Sequence, residues 1–238
     1  MRFATPLIPA TLVRRYKRFL ADAVLDDGTE VTAHCPNPGA MTGQAAPGAR
    51  IWLEPNDDPK RKLKYGWRLA DLPGGHRVVV DTGLPNRVLA EALRARAVPG
   101  LDGYDTVRAE VGYGAKSRVD FLLTGRGQDI YVEVKAVTLR RTGDLAEFPD
   151  CVTLRGARHM GELAEMVRQG HRAVVLFALQ RTDCDRIGVA SDIDPGYGRA
   201  FDAARVAGVE VIALDSRITV EGVWAKGALP FTGTVTGG

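Results

Sequence analysis

Cysteine is scarce in this chain. Three residues in 238, an odd number, show no Cys-x-x-Cys pair and no zinc-like spacing. Neither a disulfide framework nor a cysteine-built zinc site is encoded, and a reducing cytoplasm is the expected compartment. Long apolar runs are missing too. The longest, Ala173 to Leu179, falls far short of the roughly 20 residues a membrane-spanning helix needs. Arg14, Arg15, Lys17 and Arg18 stand where a signal peptide would need an apolar core. Internal repeats and low-complexity tracts are lacking, apart from a TGTVTGG tail expected to fray. With 45% hydrophobic and 26% charged residues, the composition is that of an ordinary globular chain, long enough for one large domain or two small ones.

Excess charge of one sign is also small, a net +3, but it is unevenly placed. All of it lies in residues 1–82, and the remaining residues balance to zero. Eight of the twelve cations in that first part fall in two windows, RRYKR (14–18) and KRKLK (60–64), with Tyr16, Phe19, Tyr65 and Trp67 in or beside them. Cations interleaved with rings suit a nucleic acid, the cations for phosphates and the rings for stacked bases. Arg14, Arg15, Lys17, Arg18, Lys60, Arg61, Lys62, Lys64, Tyr65 and Trp67 are the candidate contacts. The plain alternative is a solvated basic face.

The chain changes character near residue 82. Before it come short β-like runs at Arg14–Leu25, Glu30–Cys35, Arg50–Glu54, Leu63–Leu72 and Arg77–Asp81, separated by turn residues. About five short strands without a helix predict a small barrel, of OB type or of the similar SH3 type, over residues 1–82. After it, Pro85 introduces RVLAEALRARA with Val88, Leu89, Ala92 and Leu93 on one stripe and Glu91 off it. Strands follow near 106–113, 117–123 and 129–138. A helix then starts at Thr153 and stops at Gly170, and the buried strand RAVVLFALQ follows. A third helix, DPGYGRAFDAARVAG, and the strand VEVIALD complete the pattern. The predicted fold over 83–238 is a mixed sheet flanked by helices in the order αβββαβαβ, which makes the second part α/β and the chain α+β overall.

One hairpin asks for an explanation. SRVDFLLTGRGQDIYVEVK (117–135) reads as two strands, and a turn centred between Arg126 and Gly127 would set Asp120 directly opposite Glu133. Lys135 would share their face. Two unit charges about 5 Å apart repel by roughly 1 kcal/mol in water and about 3 kcal/mol at an effective dielectric near 20. Such pairs are usually avoided across strands. A divalent cation between them reverses the sign, and all-oxygen ligation favours Mg²⁺ or Mn²⁺. Lys135 would then stand beside the metal, placed to orient a water or to stabilise charge on a phosphate. The competing picture is an exposed hairpin with solvated carboxylates.

This constellation resembles the PD-(D/E)xK nuclease superfamily, with Asp120 as the metal-binding aspartate and Glu133-Val134-Lys135 as the ExK triplet, Val119 replacing the proline. Some members add a glutamate from the first helix, a role for which Glu91 is the candidate. The whole chain is similar to the sugar fermentation stimulation protein A family. The resemblance runs through PLIPATLVRRYKRFLADAVLDDG, HCPNPGAM, PKRKLKYGW, SRVDFLL, YVEVKAVTL, FPDCVTLRGARHMGEL and FALQRTDC. Pro38, Ala40, Asp81 and Ala136 depart from its expected pattern. The resemblance implies an N-terminal OB-like domain, a restriction-endonuclease-like C-terminal domain and DNA binding without sequence preference. It also implies a link to the regulation of sugar, particularly maltose, metabolism, which no residue here displays.

Other residues carry weaker expectations. Arg155, Arg158 and His159 lie in the first turns of a helix, where backbone N–H groups favour an anion, and could contact phosphate. They read equally well as exposed polar positions of an amphipathic helix. His34 and Cys35 fit a structural role better than a ligand pair, and Gln180 could reach the same sheet edge as the carboxylates. Two functions compete: a metal-dependent nuclease acting on DNA, and a DNA-binding regulator that keeps the nuclease scaffold without turnover. A sugar-binding or sugar-modifying enzyme has no support in these residues.

Overall fold

The computed structural model describes residues 1–113, 117–125 and 127–235. The chain begins with a closed barrel. β1 (Ile8–Tyr16), β2 (Leu20–Leu25), β3 (Glu30–His34), β4 (Arg50–Pro55) and β5 (Tyr65–Leu72) pair in the order β1-β2-β3-β5-β4 and back to β1. β3 meets β5 in parallel at His34 and Gly66, and all other pairings are antiparallel. This is the five-stranded OB arrangement. Alternation fills its interior with Ala10, Leu12, Ala21, Ala23, Ala33, Ile51, Leu53 and Trp67. The run Arg14–Leu25 is a hairpin rather than one strand. Its turn carries Lys17 and Arg18 at φ 49° and 66°, left-handed conformations without the glycine that usually announces them.

β6 (His76–Val79) adds antiparallel to β5 and leads into the second part. It also joins the two: Val79 N–H donates to Gln180 O at 2.9 Å, and Thr182 N–H to Arg77 O at 3.0 Å. Beyond it, α1 (Leu84–Arg94) precedes β7 (Tyr104–Tyr113), β8 (Ser117–Gly125) and β9 (Ile130–Val137). After two short strands come α2 (Leu154–Arg168), β12 (Arg172–Leu179), α3 (Pro195–Val206), β14 (Glu210–Thr219) and β15 (Gly222–Ala228). The six strands form one sheet, β15-β14-β12-β9-β8-β7, parallel only across β9-β12-β14. α1 covers one face over Leu89, Leu93, Phe121, Val132, Val174 and Leu176. α2 and α3 cover the other over Val119, Val137, Val175, Phe177 and Leu179.

α2 and α3 start and stop where the sequence indicates, whereas α1 runs Leu84–Arg94, ahead of the expected RVLAEALRARA. Thr153 caps α2 by accepting the Gly156 N–H at 3.0 Å, and Asp194 caps α3 by accepting that of Tyr197 at 2.9 Å. Gly170, at φ 88°, follows α2 in the conformation only glycine adopts freely. A second, smaller sheet was not anticipated. It joins β10 (Leu139–Arg140), β11 (Leu145–Phe148), β13 (Arg186–Ala190) and β16 (Phe231–Val235). β16 uses residues of the tail expected to fray, while residues 236–238 lie outside the described chain. Among the described residues, no helix is long and apolar enough to cross a membrane.

Candidate active site

The register between β8 and β9 pairs Phe121 with Val132, Leu122 with Tyr131 and Leu123 with Ile130. One position further the same register would set Asp120 opposite Glu133, the pairing expected from the sequence, but the paired ladder ends at Phe121. Arg126, on which the turn was centred, lies outside the described residues. The ladder stops before the acidic pair, because the Asp120 side chain takes over from the backbone. Its Oδ2 accepts the Val134 N–H at 2.7 Å, and its Oδ1 accepts from Asn86 Nδ2 of α1, also at 2.7 Å. On the other flank, Ala109 pairs with Phe121 and Val111 with Val119, so Glu110 falls opposite Asp120. Glu110 has φ 55°, a strained value for a residue with a Cβ.

Glu133 and Lys135 project from β9 onto the face covered by α2, and both are buried, at 4% and 8% exposure. Lys135 Nζ donates to Glu133 Oε1 at 2.8 Å. His159 of α2, 2% exposed, also reaches Oε1 through Nδ1. Arg155 Nε donates to His159 Nε2 at 3.3 Å, so Nε2 is the accepting nitrogen. The imidazole proton therefore sits on Nδ1, directed at the carboxylate. Two donors thus hold one oxygen of Glu133, while Oε2 is buried and has no hydrogen-bond partner among the described residues. Tyr113 at the end of β7 is buried nearby.

The electrostatics separate the two carboxylates. Burial, reinforced by the Glu133 charge, raises the pKa of Asp120 against the opposing effects of Val134 N–H, Asn86 and Lys135. Burial also opposes ionisation of Glu133, but His159 and Lys135 outweigh it, and its pKa falls below the usual glutamate value. Tyr113 is pushed up, first by burial and then by the charges of Glu133, Glu162 and Asp120. The site therefore carries excess negative potential and one orphaned, ionised oxygen. A buried carboxylate oxygen left without a partner is costly. An oxygen-seeking divalent cation would satisfy it and relieve the repulsion on Asp120, so the donor set fits Mg²⁺ or Mn²⁺.

Beside Lys135 a cavity of about 320 Å³ opens between the two parts of the chain. The barrel loop Asn37–Gly39, the connecting segment Val79–Thr82, and Ala136, Phe148 and Gln180 line it.

The remaining expected residues divide. Glu91 does not reach the site: it is exposed on the far side of α1 and pairs with the Met1 ammonium at 2.8 Å. Asn86 sits five residues earlier, about 140° around the helix, and takes the position over Asp120. Trp67 is no stacking platform. It is fully buried in the barrel, donating Nε1–H to Leu69 O at 2.9 Å, because alternation along β5 turns it inward. Tyr65 is partly buried against the same core. In the first basic window, Arg15 donates to the carbonyls of Arg18, Asn37 and Gly39, and Arg18 to that of Pro38. Arg14 pairs with Asp22 at 2.8 Å, and Lys17 is exposed, with no ion pair among the described residues. Lys60, Arg61, Lys62 and Lys64 are exposed on the β4–β5 loop. Arg155 and Arg158 are exposed on α2, and Arg155 is one hydrogen bond removed from Glu133 through His159. Cys35 is core, with Sγ 3.6 Å from Met41 Sδ. His159, expected as a phosphate contact or an exposed helix position, is instead buried against Glu133, and Asn86 was missed as a site residue. A histidine on the buried stripe of the helix covering the ExK strand was the available signal for the first.

Fold and site together define a class: an OB barrel joined to a restriction-endonuclease-like domain with a PD-(D/E)xK constellation. The chain belongs to the sugar fermentation stimulation protein family. Residues 83–222 match that family's "Sugar fermentation stimulation protein RE domain", and residues 13–80 match the "SfsA N-terminal OB domain". A sugar fermentation stimulation protein homolog of Ruegeria pomeroyi is 62% identical over 224 residues, 94% of this chain and 97% of the relative. Another, of Dinoroseobacter shibae, is 62% identical over 232 residues, covering 97% and 95%. The structure of Pyrococcus furiosus SfsA in complex with Ca²⁺ superposes with a TM-score of 0.86 at 27% identity, over 97% of each chain.

Proposed function

We propose that this protein binds DNA without sequence preference and hydrolyses phosphodiester bonds at Asp120, Glu133 and Lys135, with Mg²⁺ or Mn²⁺ held by the two carboxylates. The observation that carries this reading is the state of Glu133: one oxygen fixed by Lys135 and His159, the other buried and unpartnered. The related archaeal structure was solved with a divalent cation, Ca²⁺, which agrees with an oxygen-ligand site. A bound cation would act as a Lewis acid on a phosphate oxygen and offset the charge of the carboxylates. Asn86 and the Val134 N–H fix the orientation of Asp120, and His159 fixes that of Glu133. Lys135 brings a buried ammonium to the same face, placed to orient a water and to stabilise negative charge developing on phosphate. Three unpaired thiols suit the reducing cytoplasm. The relatives' name ties them to sugar fermentation, and a role in regulating sugar use is compatible with a DNA-binding protein.

A second reading, a non-catalytic DNA-binding regulator, draws on one observation. With Glu91 elsewhere, no group of three or more His, Cys, Asp or Glu side chains stands ready for a metal among the described residues. One experiment separates the two. Labelled single-stranded, duplex and flapped DNA is incubated with the protein and Mg²⁺ or Mn²⁺, beside Glu133→Gln. Cleavage that needs the cation and disappears in the variant supports hydrolysis. Binding by both proteins without cleavage leaves the regulator.

A further inference from the structure

The cavity beside Lys135 has the properties of a built site. Its volume, about 320 Å³, lies within the roughly 300–1,000 Å³ of small-molecule sites. Its barrel wall is pinned: Arg15 grips the carbonyls of Asn37 and Gly39, and Asn37 Oδ1 accepts the Gly39 N–H at 2.8 Å. Gln44 Nε2 ties the barrel to Thr138 O at 3.2 Å on the opposite wall. Lys135 belongs to both the cavity and the carboxylate site, so the two adjoin there.

The lining selects against an anion. Asp81, Glu147 and Asp150 stand in it beside one ammonium, Lys135. Asp81 is already saturated by Arg68 and Arg87, and Glu147 by Arg141. Asp150, half-buried, and Gln180 remain, and Gln180, 1% exposed, is the buried one of the two. Its Nε2 donates to Leu179 O at 3.1 Å and Ser216 Oγ at 3.3 Å, while Oε1 is buried and without a partner. Much of the rest of the wall is apolar, including Val80, Leu139 and Phe148. A flat group with apolar faces and a donor on its edge matches this chemistry.

We propose that the cavity receives one unpaired nucleobase, bearing an exocyclic amine, of a strand whose adjacent phosphate lies at Asp120, Glu133 and Lys135. The inference rests on the nuclease-like reading and narrows it. A base inside a duplex cannot enter without leaving its stack, so single-stranded DNA, a flap or a frayed end enters at the lowest cost. Thymine, which has no exocyclic amine, sets a carbonyl against Gln180 Oε1 and is disfavoured.

The test uses the full chain in EDTA, and in Ca²⁺ as a second condition. A single-stranded oligonucleotide carries the fluorescent base 2-aminopurine at successive positions, and anisotropy of an end label reports binding separately. The expected result is a marked emission change at one register, abolished by Ala136→Leu, which fills the cavity while leaving Asp120, Glu133 and Lys135 in place. Oligo-dC should bind about five-fold or more tightly than oligo-dT, and Gln180→Met should erase the difference. Should either variant fail to fold, the wild-type position scan and base comparison still decide. Saturated binding with flat 2-aminopurine emission at every position would overturn the inference alone. Equal affinity for oligo-dC and oligo-dT would overturn the assignment of the amine. Failure of any strand to bind would overturn the DNA reading together with it.

Discussion

Replacing Lys135 with methionine removes one partner of a buried ion pair and keeps its length. The pair is 2.8 Å apart, with side chains 9% and 5% exposed. At that separation the attraction is about 6 kcal/mol for an effective dielectric near 20, largely offset by desolvation of both ions. Removing one member of such a pair typically costs about 3–5 kcal/mol. His159 still donates to the same oxygen, so the lower end, about 3 kcal/mol, is expected. Chemical denaturation in EDTA at neutral pH measures it, and for a chain of this size the melting temperature should fall by about 6–12 °C. The pH dependence fixes the cause. Glu133 has a lowered pKa in the folded wild type, so its contribution is present above the ordinary glutamate pKa and is lost as pH falls through the folded value. The gap between wild type and Lys135→Met should therefore be full at neutral pH and close in acid, where Glu133 is neutral in both. Adding Glu133→Gln should recover most of the loss at pH 7. A cost below about 1 kcal/mol, or one unchanged by acid or by Glu133→Gln, would refute the buried pair.

Three further outcomes follow from the same geometry. Asp120→Asn should melt at or above wild type in EDTA, because the raised pKa of Asp120 means its charged form costs stability once pH exceeds that value; Asn86 can turn its amide to meet the new side chain. Wild type should gain about 2.7 kcal/mol in Mg²⁺ or Mn²⁺ at 100-fold excess over its dissociation constant, and Asp120→Asn almost nothing; a variant less stable than wild type, beside a wild type indifferent to metal, would remove the site. Reversing Lys17, Lys60 and Lys62 to glutamate should weaken DNA of any sequence and flatten the slope of log K against log salt by about 0.9 per lost duplex contact, and an unchanged slope would take these lysines off the binding surface. Trp67→Ala should cost about 3–5 kcal/mol as a core deletion, so weakened DNA binding with stability intact would return Trp67 to the interface.

The parts of the fold legible in the sequence are those with a period and a boundary. The caps at Thr153 and Asp194 place α2 and α3 nearly to the residue, and the stripe Val88, Leu89, Ala92, Leu93 finds α1 and its buried face though not its ends. Register arithmetic alone sets Asp120 opposite Glu133. The small sheet escaped because its strands are two to five residues long and partly pair in parallel with remote partners, as β11 does with β13. So short a run carries no usable periodicity. The first hairpin escaped because Lys17 and Arg18 make its turn without glycine or asparagine. Glu91 was correctly read as off the apolar stripe, yet being off the stripe also points it away from Asp120. The helix offers Asn86 there instead, an amide that a search for carboxylates passes over.

The two basic windows show why charge counted along a sequence overstates contacts with phosphate. Arg15 and Arg18 spend their donors on carbonyls of the Asn37–Gly39 loop, and that loop is a wall of the cavity beside Lys135. Half of the first window therefore builds the site's surroundings. The second window is exposed on the β4–β5 loop, with Arg61 and Lys64 beside Asp58, and on the proposed reading it is where nonspecific attraction would reside. The interior has the opposite economy. Glu133 and Lys135 on β9 and His159 on α2 meet in a layer otherwise made mostly of apolar residues such as Val137, Val175, Phe177 and Leu163. A buried ion pair is commonly no more stabilising than well-packed apolar residues of the same volume. Stability alone thus gives no reason for charges there, still less for leaving Glu133 Oε2 unpartnered and Asp120 repelled. Arrangements that are locally unfavourable, yet held in place by Asn86, Val134 and His159, are expected where a site must be ready for a charged ligand before it arrives. The carboxylate left unsatisfied is the one beside which a cation and a phosphate would find their complement.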